Sequence, residues 1–138
     1  MTDCVFFYGT LLTEFGRCRR AGIDASITFI GRGVIRGALF DVGLYAAAIP
    51  TDDGIVRGDL YRVNDPEPVL ARIDEIEGAT ALSGQPDAAL YTRIVVPVTL
   101  ENGDVTEAWA YFYNAPLGQA ERIPSGDYRQ YLQGKRYP

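Results

Sequence analysis

The chain alternates short apolar runs with breaks marked by glycine or aspartate, the rhythm of a strand-rich domain. Cys4-Val5-Phe6-Phe7-Tyr8 is a continuous apolar run ended by Gly9 and predicts a buried first strand. Residues 10–23 are mixed and suggest one helical turn or a short helix. From 26 to 43 apolar and β-branched residues recur, broken by Gly31, Gly33 and Gly37. Glycines spaced this way predict bulges or bends in a strongly curved sheet. Asp52-Asp53-Gly54 marks a turn, and the stretch from Ile55 to Val63 reads as another strand.

The next segment changes period. Asn64-Asp65-Pro66 offers a capping side chain followed by proline near the first helical position. Gly78 is a plausible C-cap, and 79–90 is a loop of small and polar residues. Asn102-Gly103 then joins two alternating runs, which predicts a hairpin with a two-residue type I′ turn. That turn sets Leu100 opposite Val105, Val96 opposite Trp109 and Ile94 opposite Tyr111. The expected core face is therefore Ile94, Val96, Val98, Leu100, Val105, Trp109, Tyr111 and Tyr113, with Arg93 on the other face. The tail, from Ile123 to Leu132, suggests a turn and a short terminal helix. Many strands with few helices predict an α+β fold, a curved sheet or small mixed β-barrel with flanking short helices.

Composition fits one soluble domain spanning 1–138. The chain has 138 residues, 47% hydrophobic and 22% charged, enough apolar content for a real core. A net charge of −5 argues against a nucleic-acid backbone or an anionic membrane as partner. Arg17, Arg19 and Arg20 form the one basic cluster and read as a solvated helix face. No apolar run is long enough to span a bilayer, and the start of the chain lacks a signal-like segment; a cytoplasmic location is expected. Cys4 and Cys18 do not make a disulfide framework, and Cys4 reads as a small buried residue.

The chain contains no histidine. A Cys/His zinc site is thereby excluded, and proton transfer near neutral pH falls to a carboxylate, tyrosine, lysine, cysteine or water. Phase along the helix from Pro66 to Glu77 singles out one acid. With Val69 set at zero, Ile76, Ile73 and Leu70 fall at about −20°, 40° and 100° at the α-helical pitch. Glu77 falls at about 80° on the same pitch, inside that apolar arc. Glu75, Asp74 and Arg72 fall outside it. Burial and the negative end of the helix dipole would both raise the Glu77 pKa toward a range useful for acid–base work. The alternative is a frayed helix end with Glu77 turned to water. Two further candidates stand beside it. The Tyr8-Gly9-Thr10-Leu11 loop after the first strand could aim backbone amides at a substrate oxygen, or be an ordinary turn. Tyr91, Trp109, Tyr111 and Tyr113 form an aromatic group, with Tyr113 nearest the strand end as the pocket hydroxyl, or all pack as core.

Taken in order, these pieces resemble the γ-glutamylcyclotransferase-like family, most closely its AIG2-like branch with γ-glutamylamine cyclotransferase. Phe7-Tyr8-Gly9-Thr10-Leu11 resembles the family's YGTL motif, and Val56-Arg57-Gly58-Asp59-Leu60-Tyr61 its V-x-G-x-[LV]-[YF] strand. Ile73-Asp74-Glu75-Ile76-Glu77-Gly78 resembles its L-D-x-[FY]-E-G segment, whose final Glu is catalytic. Tyr91-Thr92-Arg93, the segment from Trp109 to Asn114 and the segment from Ile123 to Tyr128 resemble its later motifs. The resemblance implies a small barrel whose cavity is lined by the Tyr8–Leu11 loop and Glu77. It implies an acyltransferase that releases 5-oxoproline and a free amine or amino acid, with Glu77 as general base and acid. Tyr8, Gly9, Thr10, Leu11 and Tyr113 would bind a small-molecule γ-glutamyl substrate. No cofactor or metal is implied, and a monomer or weak homodimer is expected. The chain departs from the family pattern in residues 79–90, a longer loop that could act as a lid or reshape the leaving-group pocket, and in Ala46, where the family usually has Pro. Two other readings stay open: a non-catalytic small-molecule-binding or regulatory protein with the same cavity, and an amide hydrolase using the same carboxylate.

Overall fold

The computed structural model describes residues 2–9, 22, 24–41, 46–77, 91–114 and 117–136; within these, 24, 75–77 and 133–136 are described by backbone alone. Among the described residues, eight strands and two α-helices, with a 3-10 turn at Asp24–Ser26, follow in chain order: β1 (Cys4–Phe7), β2 (Ile27–Arg36), β3 (Ala38–Asp41), β4 (Ala46–Ile49), β5 (Ile55–Val63), α1 (Pro66–Glu77), β6 (Tyr91–Leu100), β7 (Val105–Tyr113), β8 (Glu121–Ile123) and α2 (Tyr128–Arg136). Five strands close into a mixed barrel in the order β1-β5-β2-β6-β7, sealed by parallel pairing of β1 with β7 at Val5 and Trp109. A three-stranded sheet, β4-β3-β8, lies beside it. The expected α+β barrel is present. The expected short helix within 10–23 falls almost wholly outside the described residues, as do the Gly78 cap and the loop 79–90. No helix among the described residues is long and apolar enough to cross a membrane.

The continuous apolar run of β1 has its reason in two cores. Cys4 and Phe6 point into the barrel with Ile35, Val56, Leu60, Val98 and Phe112. Val5 and Phe7 point outward, under α1, with Tyr61, Tyr91, Tyr111 and the helix residues Val69, Leu70 and Ile73. A strand covered on both faces needs no polar alternation. Burial raises the Cys4 thiol pKa, with the neighbouring Asp3 carboxylate adding to the shift, so Cys4 is a core residue in the thiol form at neutral pH.

Glycine marks the tight places. β2 bulges at Ile30, where its pairing with β5 slips between Phe29 and Gly31. β5 crosses β1 so closely at Gly58 that a Cβ there would collide with the Phe7 carbonyl and the Phe6 ring. This explains the glycine within the strand. On the other flank, β2 and β6 pair at Gly33–Leu100 and Val34–Thr99. The Glu101 N–H donates to the Arg32 carbonyl at 3.2 Å. Alternate N–H groups of β6 face β2, so the series 101, 99 next reaches Pro97, which has no N–H. There the seam opens into a cleft of about 800 Å³ lined by Val34, Ile94, Val96, Pro97 and Phe112.

The hairpin corrects the sequence reading by one residue. Leu100 N–H donates to the Asp104 carbonyl at 2.8 Å and Gly103 N–H to the Leu100 carbonyl at 2.9 Å, with Gly103 at φ 93°. The loop is therefore three residues, 101–103, ending in a left-handed glycine, not the two-residue turn expected. Thr99 opposes Val105, Val95 opposes Trp109 and Arg93 opposes Tyr111. A one-residue slip moves a whole row to the other face. Ile94, Val96, Val98 and Leu100 share their face with Ala108 and Ala110, whereas Val105, Trp109, Tyr111 and Tyr113 lie on the outer face with Arg93. Val105 is 63% exposed and Ile94 40%, so neither is core. The phenols serve the outer core beneath α1, and small alanines take their place inside the barrel.

Candidate active site

The ends of β1, β4, β6 and β7 converge at one end of the barrel, and α1 runs toward them. The helix starts directly after β5, where the Val63 N–H donates to the Asp3 carbonyl at 2.8 Å. Pro66 occupies its first position and sets its φ. The preceding Asp65 sits in the left-handed region at φ 52°, a conformation aspartate tolerates better than most side chains. Val69, Leu70 and Ile73 are buried against the barrel, as their spacing predicts. The helix thus returns antiparallel to β5, along the direction of β1 and β7, and its last residue is Glu77.

Three tyrosines at this end are already committed. The Tyr8 hydroxyl donates to the Tyr111 carbonyl at 2.6 Å and accepts from the Ala48 N–H at 3.2 Å, tying β1, β7 and β4 together. The Tyr91 hydroxyl donates to the Ala46 carbonyl at 2.9 Å. Tyr111 donates to Asp74 Oδ1 at 2.6 Å. Tyr113 packs edge-on against Tyr91, with ring centroids 5.4 Å apart, and its hydroxyl has no hydrogen-bond partner among the described residues. Among the described residues it is the candidate phenol with no hydrogen-bond partner. Gly9 is half-buried, and a Cβ there would touch the Ala46 Cβ at 3.4 Å. The structure therefore places Tyr8, Gly9 and Tyr113 at the same end of the barrel, linked through Tyr91 and Ala46, and carries the backbone of α1 as far as Glu77. Thr10, Leu11 and the Glu77 side chain lie outside the described residues, and so does the predicted rise in its pKa.

One cluster was not anticipated. Arg93 Nε meets Asp74 Oδ1 at 2.9 Å and Arg93 Nη2 meets Asp74 Oδ2 at 3.2 Å. The Arg93 guanidinium also lies 4.3 Å from the centroid of the Trp109 ring. Helical phase placed Asp74 off the apolar arc, and the expected hairpin register placed Arg93 away from Tyr111. Both are corrected: Asp74 is folded onto the hairpin, and Arg93 and Tyr111 reach it from paired positions. A polar residue at the edge of a helix's apolar stripe opposite an arginine on the neighbouring strand was the available signal.

Comparison with known proteins agrees with this geometry. Residues 5–130 match the family described as Gamma-glutamyl cyclotransferase, AIG2-like. The chain is 33% identical over 134 residues to "Putative gamma-glutamylcyclotransferase MJ1514" of Methanocaldococcus jannaschii, covering 94% of this chain and 98% of that one. Among solved structures it is similar to YkqA from Bacillus subtilis, with TM-score 0.72 and 22% identity, covering 100% of this chain but 44% of YkqA. The chain thus spans less than half of that protein. It is also similar to an AIG2-like protein of Mus musculus, with TM-score 0.62 and 21% identity, covering 83% of this chain and 80% of that one. At these identities the structural likenesses speak for the fold, while the family and the archaeal relative speak for descent. The chain belongs to the AIG2-like γ-glutamyl cyclotransferase family.

Proposed function

We propose that the protein releases 5-oxoproline and a free amine or amino acid from a γ-glutamyl compound by intramolecular acyl transfer. The α-ammonium of the γ-glutamyl group gives a proton to Glu77. The free α-amine attacks the γ-amide carbonyl carbon, and the new C–N bond closes a five-membered ring. The bond to the leaving nitrogen breaks as Glu77 returns its proton to that nitrogen, and the second proton of the ring nitrogen passes to the departing amine or to water, which leaves the neutral lactam and Glu77 as a carboxylate. One carboxylate near neutral pKa serves both steps. Backbone amides of the Tyr8-Gly9-Thr10-Leu11 loop hold the carbonyl oxygen as charge develops on it. The Tyr113 hydroxyl donates to, or accepts from, the γ-glutamyl group. The ring closure is intramolecular, so positioning supplies much of the rate and neither a cofactor nor a covalent nucleophile is needed.

The observation that carries this reading is the course of α1. Its apolar stripe fixes it to the barrel, and its last residue is Glu77, the residue to which the resemblance of the Ile73–Gly78 segment assigns the catalysis. A panel of γ-glutamyl amines, amino acids, peptides and ε-lysine conjugates, scored by mass spectrometry, tests the reaction. Accumulation of 5-oxoproline from at least one class is expected. Glutamate in its place would make the protein an amide hydrolase. Tight binding without any product would make it a binding module.

A further inference from the structure

We propose that Asp74, clasped by Arg93 and Tyr111, is a positioning residue that holds the last turn of α1, and with it Glu77, in register with the barrel end. The proposal rests on the reading of Glu77 as the proton carrier. It starts from a deficit in the helix itself. The last turn of α1 contains Asp74, Glu75 and Glu77 and no basic residue. Three acids at the negative end of a helix dipole oppose helix formation there. Terminal carbonyls without partners fray readily as well. A catalytic carboxylate on such a turn would wander by more than the reaction tolerates.

The hairpin supplies what the helix lacks. Arg93 brings a cation to the last turn in a two-point fork, with both partners about four-fifths buried (side chains 24% and 20% exposed). A fork fixes orientation as well as distance, which a single lysine contact would not. Tyr111, 2% exposed, adds a 2.6 Å hydrogen bond to the same carboxylate. The guanidinium is itself held over the Trp109 face at 4.3 Å. The indole Nε1 is buried with no acceptor among the described residues, so this ring serves by its face. Asp74 is three residues before Glu77, on adjacent sides of successive helical turns. The tether therefore lies about one turn, roughly 4.5 Å of helix rise, from the Glu77 backbone that it steadies.

The test compares parent, Asp74→Asn, Tyr111→Phe and Glu77→Gln on one γ-glutamyl substrate, with hydrogen exchange measured on each. Asp74→Asn keeps the shape and an acceptor for Tyr111 but removes the ion pair. Its kcat is expected to fall about 10- to 100-fold with KM within about twofold, the pattern of a displaced reacting group and not of lost substrate binding. Amides of the last turn of α1 are expected to exchange at least about tenfold faster while those of the barrel strands keep parent rates. Tyr111→Phe, which removes one hydroxyl, is expected to show the same split more weakly and serves as the test if Asp74→Asn does not fold. Parent-like kcat in a folded variant, equal losses in kcat and 1/KM, or unchanged exchange at the end of α1 would each overturn the proposal. Parent-like activity of Glu77→Gln would instead overturn the reading of Glu77, and the exchange result would still decide whether Asp74 holds the turn.

Discussion

At the scale of the residue, the charged groups of this protein divide by what they fasten. Asp59 is buried, 3% exposed, on a strand that is otherwise apolar at that depth. Arg129 of α2 grips it in a fork, Nη2–Oδ2 at 2.6 Å and Nη1–Oδ1 at 3.0 Å. The pair joins the C-terminal helix to the barrel, and its worth lies less in attraction than in the cost of breaking it. Arg129→Ala is expected to destabilise the fold by about 3 kcal/mol, because a carboxylate would remain buried without its partner. Urea denaturation of variant and parent checks this. A loss below about 0.5 kcal/mol, the range of ordinary surface substitutions, would mean water reaches Asp59 freely. The phenols divide in the same way. Tyr8, Tyr91 and Tyr111 are structural ties, and Tyr113 has no hydrogen-bond partner among the described residues.

At the scale of the element, much of the fold was legible and the reasons for the misses are local. The apolar run of β1, the strand pattern of β5 and the 3.6-residue stripe of α1 could be read because burial on a fixed face leaves a strong periodic mark. β4 and β8 could not. Ala46-Ala47-Ala48-Ile49 has little β-branched content, and Glu121-Arg122-Ile123 is only three residues long; both are strands because β3 lies between them. The hairpin was found but its register was not. Asn-Gly suits a two-residue turn, but here Asn102 is spent locally, accepting from the Asp104 N–H at 2.9 Å, and the glycine closes a three-residue loop. That single residue decided whether Arg93 and Tyr111 share a face, hence whether the Asp74 clasp could be foreseen. Gly103→Ala is expected to cost about 1 kcal/mol through its positive φ alone, since open space surrounds the position. Thermal denaturation checks it; a neutral result would show that the loop can adopt the other turn.

At the scale of the whole molecule, closure of the barrel positions the candidate site. β1 is the hub: it pairs with β5 and β7, packs on both cores, and delivers Tyr8 and Gly9 to the barrel end. Its approach to β5 depends on Gly58, and Gly58→Ala is expected to destabilise by about 3 kcal/mol through overpacking against the Phe7 carbonyl and the Phe6 ring. Chemical denaturation would show it, and full stability would contradict the close crossing. The candidate site was legible as a set of residues in order, because the family's motifs survive in this sequence. Its supports were not, since contacts between α1 and the β6–β7 hairpin depend on register. In the proposed reaction everything turns on Glu77 as the carrier of the proton. The most direct measurement is 5-oxoproline release by Glu77→Gln against the parent protein on the best γ-glutamyl substrate, with binding of that substrate measured by calorimetry. The account predicts loss of turnover by at least about 10³-fold, a large acid–base effect, with the affinity changed less than about threefold. Product formation by Glu77→Gln at a rate near that of the parent would contradict it.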